Sequence, residues 1–64
     1  MKNNIYKRRK ELKLTQLELA EKAKVTRQTI NAIENNKYDP TLRLAIRIAK
    51  IVGVPVEELF EDDE

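Results

Sequence analysis

An all-α chain of five short helices is what this 64-residue sequence predicts. Three observations carry that expectation. Nowhere do four or more residues alternate apolar and polar between turn signals, so no strand is expected. Apolar residues recur instead at the three- and four-residue spacing of an amphipathic helix. Thr15, Thr26 and Thr41 stand where helix N-caps belong, each ahead of such a run.

The first helix, about residues 4–13, puts Ile5, Arg9 and Leu12 on one face and turns Lys7 and Lys10 away. Arg9 therefore points inward and needs a carboxylate, because an unpaired buried guanidinium is strongly destabilising. The second helix opens on Thr15-Gln16-Leu17-Glu18, a capping box in which the Thr15 hydroxyl accepts from the amide three residues on and Glu18 reciprocates. It lines up Leu19, Ala20 and Ala23, whose small members allow a close neighbour. Lys24-Val25 interrupts it, and Thr26 caps a third helix. Two helices of about eight residues joined this tightly read as a helix-turn-helix.

The third helix, Arg27 to about Asn35, turns Ile30 and Ile33 toward the core. Its opposite face carries Arg27, Gln28, Asn31 and Asn35, planar hydrogen-bonding groups rather than the Glu/Lys pairs of a merely solvated surface. Glu34 borders the apolar stripe and is the candidate partner of Arg9. After a loop over 36–40, Thr41 caps a fourth helix running to about Val52. Apolar residues cover more of its circumference than the roughly 100° that one core requires. The surplus, Leu44, Ile48 and Ile51 above all, suggests a dimer interface or a helix at the centre of the bundle. Gly53 sits at a left-handed C-cap position, and Pro55 starts a short last helix whose Glu57 and Glu58 suit its positive end. Leu59 and Phe60 close the core. Residues 1–60 thus form one domain, and 61–64 an acidic, solvated tail.

Size and composition narrow the chemistry. A chain of 64 residues, 41% hydrophobic and 38% charged with one glycine, suits a small folded helical domain without room for a second unit. It has no cysteine and no histidine, so no disulfide, thiolate-held zinc or imidazole acid/base is available. No nucleophile-base pair is apparent, and catalysis, metal and cofactor are not expected. No apolar run reaches the roughly 20 residues of a membrane helix, and no signal segment opens the chain. Charge is segregated. Residues 1–50 hold all 13 Lys and Arg against Glu11, Glu18, Glu21, Glu34 and Asp39, a net +8, whereas residues 51–64 hold six acids and no base. The first fifty residues are built to meet a polyanion.

From Leu14 to Ala20 (LTQLELA), Val25 to Ile30 (VTRQTI) and Ile33 to Lys37 (IENNK), the sequence resembles the helix-turn-helix domains of the phage repressor and Cro family, also called the xenobiotic response element (XRE) family. The likeness continues through Pro40-Thr41-Leu42, Ile48-Ala49, Gly53-Val54 and Glu58-Leu59-Phe60. It implies a five-helix bundle of the lambda-repressor-like DNA-binding type, with the third helix as recognition helix. By position, the resemblance assigns Arg27, Gln28 and Asn31 to base edges and Gln16, Thr26, Asn35 and Lys37 to phosphates. It matches Arg9 and Glu34 to the family's internal ion pair. Lys24 and Asn36 stand where many relatives have glycine, and Leu17 where many have a polar residue.

The resulting expectation is sequence-specific binding of a two-fold symmetric double-stranded DNA operator by a homodimer acting as a repressor. The third helices would lie about 34 Å apart in successive major grooves. Arg27 would suit guanine, and Gln28 or Asn31 adenine. No small-molecule ligand is expected, and the protein would be cytoplasmic, with the nucleoid. The rival is a protein-interaction module, such as an antitoxin or bridging factor, using the apolar excess of the fourth helix and the acidic tail.

Overall fold

In the computed structural model, which describes residues 2–61, the elements follow in the order β1 (Lys2–Asn3), α1 (Ile5–Glu11), α2 (Gln16–Ala23), α3 (Arg27–Glu34), α4 (Leu42–Val52), α5 (Val56–Leu59) and β2 (Phe60–Glu61). Three of the helix starts rest on local chemistry already visible in the chain. Thr15 accepts from the Glu18 amide at 3.0 Å while Glu18 accepts from the Thr15 amide at 2.9 Å. Thr26 and Thr41 accept from the amides of Thr29 and Leu44, each at 3.2 Å. Each bond satisfies one donor that the first helical turn leaves without a partner.

The ends share one device. In α1 to α4 a long-range closing bond runs back across the last turn, from Leu14 to Arg9, Val25 to Ala20, Lys37 to Ala32 and Val54 to Ala49. The residue just before each donor is left-handed: Lys13, Lys24, Asn36 and Gly53, with φ of 57°, 62°, 60° and 78°. This is the Schellman closure, and it favours glycine because a Cβ crowds the following carbonyl. Only one of the four positions has glycine. Lys13 is the one that neither the residue pattern nor the family likeness flagged, since it follows a short helix with no glycine or proline to mark the end.

Two expectations change. Leu12 is not on the buried face: it is the C-cap of α1, which ends at Glu11, and its side chain is exposed. The chain is also not strand-free. Lys2 pairs with Glu61 and Asn3 with Phe60 in an antiparallel ribbon, and the Asn4 amide donates to the Leu59 carbonyl at 2.8 Å. Two residues per strand are too few to show alternation, and the pairing exists only because the helices bring these ends together. Glu61, expected in the tail, therefore belongs to β2. Asp62, Asp63 and Glu64 lie outside the described residues.

The core joins Ile5, Leu19, Ile30, Ile33, Ile48, Val52 and Leu59, all fully enclosed. Helix α4 packs against α1, α2 and α5, which explains its wide apolar surface. Ile48 has 0% exposure and Leu44 8%, so both belong to the core of this chain. Ile51 is half-buried against the same core. The apolar side chains that α4 does present outward are Leu42, 71% exposed, and Ile46.

Candidate nucleic-acid interface

Helix α3 is held from one side only. Ile30 and Ile33 anchor it in the core. At its C-terminal end the Glu34 carboxylate is gripped by two other parts of the chain: Arg9 Nε donates to Oε2 at 2.8 Å and Arg9 Nη2 to Oε1 at 3.2 Å. Gln16 Nε2, from the first turn of α2, donates to the same Oε1 at 3.0 Å. The remaining Arg9 nitrogen donates to the Leu14 carbonyl at 3.0 Å, and the guanidinium lies 5.2 Å from the Tyr6 ring centroid. Asn3 Nδ2 donates to the Ile33 carbonyl at 2.8 Å, covering one of the carbonyls that the end of α3 leaves open. Arg9, 6% exposed, is thus fully partnered and joins α1, the loop before α2, and α3.

The other side of α3 is open. Arg27, Gln28 and Asn31 are exposed and share one face at positions i, i+1 and i+4. Among the described residues nothing buries them. Lys37, just past the helix, is exposed as well. Thr26 is exposed, with its hydroxyl also 3.0 Å from that of Thr29. Asn35 differs in detail: its Nδ2 bonds back to the Asn31 carbonyl at 2.8 Å, so it serves the end of its own helix. Gln16 and Arg27 line one concavity of about 590 Å³ together with Lys10, Lys13 and Thr15, so the start of α2 and the start of α3 form a continuous surface.

Several contacts that hold the helices together were not readable from residue spacing. The Gln16 to Glu34 bond crosses between helices, and no sequence pattern signals it. Arg8 Nε donates to the Val52 carbonyl at 2.8 Å, and Arg47 Nη1 to the Ala23 carbonyl at 2.9 Å. Both cations sit at helix C-terminal ends, where charge of that sign is favoured. Arg47 is thereby occupied with holding α4 to the end of α2. At the start of α2, the Glu18 carboxyl is held below its ordinary pKa, first by the Thr15 amide, then by the Thr15 hydroxyl, with Lys22 adding a smaller effect. Among the described residues no helix is long and apolar enough to cross a membrane.

A helix-turn-helix family model matches residues 5–59. The chain is 54% identical over 66 residues to a protein of Methanocaldococcus jannaschii named as an HTH-type transcriptional regulator, each chain covered in full. It is 40% identical over 60 residues to another so named in Bacillus subtilis, covering 94% of this chain and 91% of that one. It is also 38% identical over 55 residues to the immunity repressor protein of Bacillus phage phi105, covering 86% of this chain and 38% of the repressor. The match spans every helix, including the capped pair α2 and α3 and the network that holds α3 in place: the chain belongs to the XRE-type helix-turn-helix family of transcriptional regulators.

Proposed function

We propose that the protein is a dimeric repressor that reads duplex DNA with α3 in the major groove. The observation that carries this reading is the one-sided fixing of α3. Arg27, Gln28 and Asn31 are uncovered, while Ile30, Ile33 and Glu34 hold the opposite side rigidly. Arg27 reads guanine O6 and N7, and Gln28 or Asn31 reads adenine N6 and N7, the pairings that planar forked side chains make best. Gln16, Thr26, Asn35 and Lys37 fix the register through phosphates without reading sequence. One N–H of the Gln16 amide is committed to Glu34, which leaves the other for a phosphate oxygen. Repression is supported by the likeness to the phage immunity repressor. Such a protein works in the cytoplasm, on the nucleoid.

A second subunit has the shallow, largely apolar groove between the start of α4 and α5 to occupy, lined by Pro40, Leu42, Ala45, Val56 and Phe60 together with Glu57 and Glu61. That surface replaces Leu44 and Ile48, which the monomer's core consumes. The exposed Leu42 also supports the rival reading, a protein-interaction module such as an antitoxin or bridging factor.

Selection of duplexes from a random pool tests the proposal. Enrichment of a two-fold repeat with half-site centres about one helical turn apart is the expected result. Affinity for the selected duplex falls steeply with salt if phosphates are engaged. Absence of any enriched sequence, or of salt dependence, overturns the DNA-reading assignment and favours the interaction module.

A further inference from the structure

We propose that Lys10 and Lys13 form, with Gln16, a seat for a backbone phosphodiester of the bound duplex. The proposal rests on the DNA-binding reading above and extends it to residues of α1 and the loop that follows. On residue spacing alone Lys10 turns away from the core and has no evident task, and Lys13 ends the first helix; in the structure Lys13 lies beyond α1, which stops at Glu11. The tertiary structure gathers both at the concavity that also holds Gln16 and Arg27. Arg27 belongs to the reading face and Gln16 to the phosphate set, so a duplex lying against α3 passes over this hollow.

Its electrostatics favour an anion. The lining includes Lys10, Lys13 and Arg27 and no carboxylate. Neither lysine makes an ion pair with an acid among the described residues. The nearby Glu34 is already neutralised by Arg9, with Gln16 bonded to the same carboxylate. Two features restrict these lysines, one at the Lys10 side chain and one at the Lys13 backbone. Lys10 Nζ lies 5.7 Å from the Tyr6 ring centroid, within the range of a cation–π contact, which narrows where its side chain swings. Lys13 is fixed in the left-handed closure of α1 by its bond to the Lys10 carbonyl and that of Leu14 to Arg9. Lysine at a position that favours glycine is strained, and a phosphate contact gives that side chain a use.

The test compares two double variants of the full chain with equal loss of charge. Lys10→Gln with Lys13→Gln removes the seat. Lys22→Gln with Lys50→Gln removes two exposed lysines that do not line the concavity. Binding of a selected and a random duplex is followed by fluorescence anisotropy from about 50 to about 200 mM salt. Thermal midpoints verify that both variants fold. The seat variant is expected to bind both duplexes more weakly by a similar factor, with a log–log salt slope shallower by about 1.8, or 0.9 for each lost contact. The control variant keeps the slope of the parent. Equal slopes for the two variants overturn the seat while leaving DNA binding intact. Absence of salt-dependent duplex binding by the parent itself overturns the DNA reading and the seat with it.

Discussion

The guanidinium of Arg9 and the carboxylate of Glu34, 25 residues apart in the chain, meet through two bonds of 2.8 and 3.2 Å with both side chains almost wholly enclosed. The pair sets the angle at which α3 leaves the core, because Glu34 occupies its last turn while Arg9 is tied to α1 and to Leu14. A buried pair of this kind is costly to break and cheaper to remove whole. Arg9→Ala and Glu34→Leu should each lower stability by about 3 kcal/mol, because each strands the other charge. The double variant should lose clearly less than the sum of the two. Urea midpoints of the four proteins check this, and additive losses would show that the two groups act independently.

On the open side of the same helix, Gln28→Ala removes an exposed side chain. Folding stability should stay within about 0.5 kcal/mol of the parent, as for an exposed substitution away from caps and pairs. Affinity for a selected operator should fall by about 1–3 kcal/mol, with affinity for random duplex nearly unchanged. Parallel gel shifts on the two duplexes measure the difference. Equal losses on both would assign Gln28 to the backbone instead of to a base.

The left-handed residues make a paired prediction. Lys24→Gly relieves backbone strain at φ 62° and should raise stability by up to about 1 kcal/mol, partly offset by the freer unfolded chain. Gly53→Ala imposes the same strain and should lower stability by about 1 kcal/mol. Among the described residues an added Cβ there meets Arg8 Nη2 at 3.5 Å, an ordinary contact, so the cost is in the backbone rather than in a clash. Opposite shifts of the thermal midpoint are expected, and like shifts would mean that positive φ is not what these positions share.

Acid should loosen the start of α2 before it unfolds the core. The folded-state pKa of Glu18 is depressed by the Thr15 amide and hydroxyl and by Lys22, so its capping contribution is present above the unfolded value. That contribution fades as pH falls through the lowered folded pKa. A carboxyl-detected NMR titration should place the Glu18 midpoint below the ordinary value of a glutamate carboxyl. In Thr15→Val, which removes the hydroxyl, the midpoint should move back up. An unshifted midpoint in the parent would mean that the capping box does not persist in solution.

What could be read from the chain alone was whatever depends on neighbours in sequence. The starts of α2, α3 and α4 were legible because a threonine and the amide three residues later are bound to meet once a helix forms. The inward turn of Arg9 followed from helical spacing, and a carboxylate partner followed from the cost of burying a charge. The exposed face of Arg27, Gln28 and Asn31 followed from the same periodicity, since Ile30 and Ile33 had already claimed the other side.

What only the tertiary structure decided involves groups brought together from distant parts of the chain. Whether Leu44 and Ile48 face a partner or their own core depends on how many helices surround α4, and no pattern within α4 carries that number. The ribbon of Lys2–Asn3 with Phe60–Glu61, the Gln16 to Glu34 bond and the gathering of Lys10, Lys13 and Arg27 around one hollow have the same origin. Helix periodicity assigns each residue a direction from its own axis. The placement of those axes is settled by packing, which adds up contributions from the whole chain at once.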